Sequence, residues 1–276
     1  MILPTGYALS APITAILLTG NVILQSTTFI PSTATTTFEF GNGSSVRVEN
    51  PMRIRGLPDL VEPHFLGAGS GGAVFSYQRQ STQKETEHPC KDKVVVKFSW
   101  LQSAESVRNE CKVLNAMEQR HISGIERCLT QLENPEDPRR TIIVMEPVVN
   151  DAISNLDELS TEAALTATKT LMTTLAQMLV ARIVTADVQP LISKSTGKLV
   201  LIDMTEAKIL PEGKLSDIDV ALVREFCSEV ISFIPDTFAR IASETFYEEL
   251  YRIEAESHEF LDDYVRTIIE SLMTIE

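Results

Sequence analysis

Three glycines set the first chemical constraint. In Leu66-Gly67-Ala68-Gly69-Ser70-Gly71-Gly72-Ala73-Val74, the residues Gly67, Gly69 and Gly72 follow the spacing G-x-G-x-x-G. Residues without a Cβ let a backbone approach phosphate groups and aim N–H donors at them. The same spacing also serves as an ordinary glycine turn in a hairpin, so alone it is a weak signal. A dinucleotide site requires a helix directly after the glycines. Here Val74-Phe75-Ser76-Tyr77 follows instead, a run that favours a strand.

Strand, glycine loop, strand is the order in which protein kinases cover the phosphates of ATP with a hairpin. That order demands a lysine at the end of a nearby apolar strand, and Lys97 closes Val94-Val95-Val96. A glutamate from the next helix must pair the lysine, and Glu110 fits in Arg108-Asn109-Glu110-Cys111-Lys112-Val113-Leu114. Glu105 competes, but near the helix start it serves the helix dipole. From about Phe65 to Lys208 the chain resembles the protein-kinase superfamily. The resemblance places Met145 at the gatekeeper position and Glu146 to Val148 at the hinge that binds the adenine edge. It implies that Gly67, Gly69, Gly72, Val74 and Lys97 contact the nucleotide. It makes Asp187, in Ala186-Asp187-Val188-Gln189-Pro190, the base that orients the attacking hydroxyl. Asp203, after Leu199-Val200-Leu201-Ile202, becomes the main Mg²⁺ ligand.

The departures are as specific as the matches. Gln189 stands where the family has lysine, and the magnesium-binding asparagine is missing. Met204-Thr205 replaces Phe-Gly, and no Ala-Pro-Glu motif follows. The shortened second half looks similar to the RIO-type kinases. Asp217 or Asp219 is the expected brace of the catalytic loop. An aspartate after an apolar strand also serves as a plain helix cap.

The elements that must position these residues are legible in outline. Thr35 to Phe40 and Ser44 to Glu49 alternate across Gly41-Asn42-Gly43, a hairpin signal. Residues 63 to 100 read as strand, turn, strand, charged loop (Gln78 to Asp92) and strand. Residues 103 to 119 read as a helix capped by Ser103, with Val107, Cys111, Leu114 and Met117 on one face. Thr141 to Met145 is a strand ended by Pro147. Thr161 to Arg182 is a weakly charged helix, buried on several sides. The tail from Ser216 is helical and acidic, with stripes at Val220, Val223, Phe226 and Cys227 and at Phe246, Leu250, Ile253 and Phe260. Strands first and helices second predict an α+β, bilobal kinase-like fold. It divides into a β-rich extension (1–60), a small lobe (61–147) and a shortened helical lobe (148–276).

Composition narrows the partners. The chain has 276 residues, 43% apolar and 22% charged, with a net charge of −14. Such a surface repels phosphate backbones and anionic lipid, so neither nucleic acid nor membrane is expected. Met1 to Leu24 is apolar but interrupted by Pro4, Gly6, Pro12 and Gly20, and Arg47 is the first basic residue. That argues against a secretory signal and a membrane span. Cys90, Cys111, Cys128 and Cys227 form no Cys-x-x-Cys pair, and His64, His88, His121 and His258 are scattered. The expectation is four free thiols, no histidine metal site and a cytoplasmic location. Two functions stay open: a phosphotransferase using ATP and Mg²⁺ on a protein substrate, and a pseudokinase that binds nucleotide as a scaffold for a protein partner.

Overall fold

A hairpin with strict alternation must bury one face, and two such runs separated by a short turn pair with each other. The computed structural model describes residues 29–39, 45–54, 57–69, 71–80, 93–133, 141–148 and 151–257, and before Ile54 only their backbone. Met1 to Leu24, the Gly41-Asn42-Gly43 turn, Ser70, most of the charged loop with His88 and Cys90, His258 and Phe260 lie outside the described residues. Two units are present, Met1–Pro58 and Asp59–Glu276. In the first, β1 (Phe29–Glu39) pairs antiparallel with β2 (Ser45–Ile54), with Thr35 opposite Glu49 and Glu39 opposite Ser45.

The second unit opens with a five-stranded antiparallel sheet. Its strands are β3 (Leu60–Ala68), β4 (Gly72–Arg79), β5 (Lys93–Ser99), β6 (Cys128–Glu133) and β7 (Thr141–Met145), in the spatial order β3-β4-β5-β7-β6. The most apolar runs take the inner places: β7 is buried throughout, and β5 is buried at Val94 and from Val96 on. Phe75 packs edge-on against Phe65 and Phe98, with ring centroids 5.3 and 5.6 Å apart. Between β5 and β6 runs α1 (Ala104–Gln119), which buries Val107, Cys111, Leu114 and Met117. Each such side chain contributes roughly 2 kcal/mol on burial, so packing outweighs the tenths of a kcal/mol of helix propensity.

Beyond the sheet come β8 (Ala152–Ile153), α2 (Thr161–Val180), β9 (Ile183–Thr185), β10 (Gln189–Ser193), β11 (Leu199–Ile202), β12 (Ala207–Ile209), α3 (Asp217–Ser232) and α4 (Ala239–Ser257). Two small sheets form, β11-β10-β8 and β12-β9. The low charge of α2 reflects burial of Ala167, Leu171, Leu175 and Leu179. That helix stops at Val180, two residues before the expected end, because Arg182 turns left-handed at φ 56°. One apolar cluster joins α1, α2, β11, α3 and α4. The architecture is α+β, a sheet-rich region followed by helices. No described helix is long and apolar enough to cross a membrane.

Three local expectations change. Cys111 and Cys128 are joined in a disulfide, not free, because α1 lies along β6 with the two Cα atoms 5.4 Å apart. Cys227 is a buried free thiol. Ser103 sits at the helix start without capping it. Its backbone (φ −109°, ψ 6°) is not extended, and its hydroxyl donates to Gly71 O at 2.5 Å. Asp219 is not bonded to the Asp187 segment that the sequence expects it to brace: it closes a capping box with Ser216 and accepts from Lys208 Nζ at 2.5 Å. Asp217, in the first turn of α3, is exposed.

Candidate functional site

Register decides which side chains meet. Val74 stands opposite Lys97, Lys97 opposite Ile143, and Val95 opposite Met145. Directly paired residues share a sheet face, so Val74, Lys97 and Met145 are presented together. Lys97 is 4% exposed, and its ammonium meets four oxygens. It donates to Glu110 Oε2 at 2.9 Å, Glu110 Oε1 at 3.1 Å, Asp203 Oδ1 at 2.7 Å and Thr205 Oγ1 at 3.0 Å. Glu110 is fully buried on α1, and Glu105 is exposed in the first turn, so α1 turns only Glu110 toward the lysine. The helix is anchored to the Asp203 segment by Asn109 Nδ2, which donates to Ala207 O at 2.9 Å.

Thr205 was not singled out by the motif, although it occupies the place of the missing glycine. Its hydroxyl also contacts Glu110 Oε2 at 3.2 Å and Asp203 Oδ1. Glu126 was missed altogether. It is 7% exposed, and its Oε1 accepts the Asp203 backbone N–H at 2.7 Å. Nothing in its local sequence sets it apart, since its partner lies 77 residues away.

The electrostatics follow from one ammonium among several carboxyls. Burial works against the charge of Lys97, but Glu110 and Asp203 outweigh it and hold its pKa above the ordinary value. Burial likewise raises Asp203, yet Lys97 prevails and lowers it. For Glu110 burial prevails over Lys97 and its pKa is raised, so the two carboxylates of Lys97 are not equivalent. Burial, with the repulsion of Glu110, pushes Glu126 up to about 8.

The glycine loop divides by role. Among the described residues, a Cβ on Gly67 or Gly69 would meet nothing within 4 Å. A Cβ on Gly72 would lie 2.1 Å from Phe98 O, so that glycine is required by the close approach of β5. Gly71 lies over the lysine, with its notional Cβ 3.2 Å from Lys97 Cε. Gly69 N–H closes the turn on Gly72 O at 3.0 Å. Trp100 Nε1 donates to Gly69 O at 2.9 Å.

Asp187 makes its hydrogen bonds within its own loop. Gln189 Nε2 donates to its Oδ2 at 2.5 Å, and its backbone N–H donates to Thr185 Oγ1 at 3.2 Å. From α3, Glu229 lies near enough that the Val188 backbone and the Asp187 charge act on its carboxyl. Burial raises its pKa most, and its Oε2 has no hydrogen-bond partner among the described residues.

Of the residues expected at a hinge, Met145 is buried, and Glu146 engages Arg127 through its backbone N–H (3.0 Å to Arg127 O) and its carboxylate (3.5 Å). Glu146, Pro147 and Val148 also line a cavity of about 900 Å³ together with Glu126, Leu199 and Val200. Gly67, Gly69, Gly72, Val74, Lys97, Asp187 and Asp203 are not on its walls. Among the described residues no group of three or more His, Cys, Asp or Glu side chains is arranged to hold a metal ion. Asp203, 27% exposed at its side chain, is the open carboxylate of the Lys97 cluster.

No protein-family model matches the chain, and no curated protein matches it.

Proposed function

We propose that this chain has a bilobal, protein-kinase-like fold that binds ATP with Mg²⁺ and transfers the γ-phosphate to a protein hydroxyl. The observation that carries the reading is the Lys97 ammonium held between Glu110 and Asp203 beneath Gly71. A lysine fixed in this way presents a point charge to phosphates without a further search of its rotamers. The open backbone at Gly67 and Gly69 fits a triphosphate, because among the described residues no atom comes within 4 Å of a Cβ built there. One carboxylate fits Mg²⁺ only as part of a shell that phosphate oxygens and water complete, and Asp203 is that carboxylate. ATP would supply the phosphoryl group and Mg²⁺ would offset its charge. Lys97 holds the phosphates, Glu110 fixes Lys97, and Asp187 takes the proton of the acceptor hydroxyl.

The second reading, a pseudokinase that binds nucleotide as a scaffold, is favoured by the Gln189–Asp187 contact and the single metal carboxylate. One pair of measurements separates them. Mg-ATP raises the melting temperature in both cases. Only the enzyme transfers labelled phosphate to itself or to a generic protein acceptor. Asp187→Asn should abolish transfer and keep the thermal shift. Absence of any ATP-dependent shift rules out both readings.

A further inference from the structure

Asp203 adopts a backbone conformation that most side-chain-bearing residues avoid and that aspartate enters more readily than most. Its φ of 57° and ψ of 62° lie in the left-handed region, at the entry to a short 3-10 turn over Met204–Glu206. Its own side chain makes no capping bond there. The carboxylate faces Lys97 and Thr205 instead. The Thr205 hydroxyl holds that carboxylate from within the segment, and a further support comes from outside it.

The support comes from a distant strip of chain. Gly124, at φ 69°, turns the backbone after α1, and a Cβ there would lie 2.3 Å from Thr174 Oγ1. The chain then runs parallel to β11: Leu201 N–H donates to Gly124 O at 2.8 Å, and Glu126 N–H donates to Leu201 O at 3.0 Å. That register leaves the Glu126 side chain beside the residue two beyond Leu201. Its Oε1 accepts the Asp203 backbone N–H at 2.7 Å. Burying a carboxyl is costly, and at this position an apolar side chain would pack at lower cost. A buried acceptor aimed at one backbone N–H is explained by what that N–H belongs to.

We propose that Glu126 is a positioning residue: by accepting the Asp203 N–H it holds Asp203 in the left-handed turn that presents its carboxylate to Lys97 and to a nucleotide-bound metal. The proposal rests on the nucleotide-site reading for its metal, but not for its contact. Glu126→Gln keeps the acceptor oxygen, and Glu126→Met keeps the length and removes it.

Two measurements are needed. Amide hydrogen exchange at Asp203, without nucleotide, should stay slow in wild type and Glu126→Gln and become fast in Glu126→Met. ATP affinity measured with Mg²⁺ and with EDTA should give the same ratio in wild type and Glu126→Gln. In Glu126→Met that ratio should fall about tenfold, the scale of one buried backbone donor left without its acceptor, while the EDTA value holds. Slow exchange in Glu126→Met, or a Mg²⁺ effect on ATP affinity there as large as that in wild type, overturns the proposal, as does a Gln variant that behaves like Met. If exchange follows the expected pattern but Mg²⁺ changes ATP affinity in no variant, the contact stands and the metal reading of Asp203 fails.

Discussion

The amide of Gln189 lies 2.5 Å from the Asp187 carboxylate, donating through Nε2 to Oδ2. A lysine at this place would bring a charge, whereas glutamine brings only a donor. It orients the aspartate. If Asp187 is the base, Gln189→Ala should lower phosphate transfer by about tenfold with ATP affinity unchanged, since a positioning loss acts on turnover. Single-turnover transfer together with equilibrium ATP binding measures both. Turnover that survives Asp187→Asn would remove Asp187 from the mechanism.

Lys97 offers a test of the cluster that needs no activity. Removing the cation from a buried pair leaves uncompensated charge, at a cost of about 3–5 kcal/mol. Lys97→Met should therefore lower the denaturation midpoint sharply. Lys97→Met with Glu110→Gln should recover part of that loss, as contacting residues do not add. A strictly additive double mutant would show that the two side chains do not depend on each other.

The glycine loop should separate stability from binding. Gly72→Ala drives a Cβ into Phe98 O and should cost about 3 kcal/mol through overpacking against β5. Gly67→Ala and Gly69→Ala meet open space, so the melting temperature should hold while ATP affinity falls. A Gly69→Ala protein that binds ATP as wild type does would argue against phosphates over that backbone.

The disulfide between Cys111 and Cys128 spans a separation of 17 residues, for which chain entropy gives about 3 kcal/mol. Reductant should lower the melting temperature of wild type and leave Cys111→Ala/Cys128→Ala unchanged. Burial pushes the Cys227 thiol up to about 12, so thiol reagents at pH 8 should modify it only after denaturation.

Acid should act through Asp219. Hydrogen bonds from Lys208 and Ser216 lower its pKa in the folded protein. Its contribution is thus complete above the ordinary aspartate value, about 4, and is lost as pH falls through the lower folded value. Asp219→Asn should flatten the acid limb of a stability–pH curve and leave the neutral region parallel to wild type. An acid limb of unchanged slope would mean that the capping box does not titrate with folding.

Local signals were the readable ones. Gly67 to Gly72 and the run ending at Lys97 lie within one hairpin and its neighbour strand, so spacing alone brought them together. Glu110 followed because a helix face repeats. Glu126 and the Cys111–Cys128 bond were silent for the opposite reason. Each depends on a tertiary approach, of 124–126 to β11 and of α1 to β6, that leaves no periodic trace in either segment. The misreading of Ser103 and Asp219 has a third origin. Both residues suit a cap, and only the neighbouring backbone decides whether the cap or another partner takes the side chain.

Trp100 and Ser103 tie the carbonyls of Gly69 and Gly71 to the chain just before α1. The glycine turn is therefore no free flap. Lifting it means either rupturing both tethers or drawing the whole helix, Glu110 included, along with it. In the second case, lifting of the turn and withdrawal of Glu110 from Lys97 become a single mechanical event.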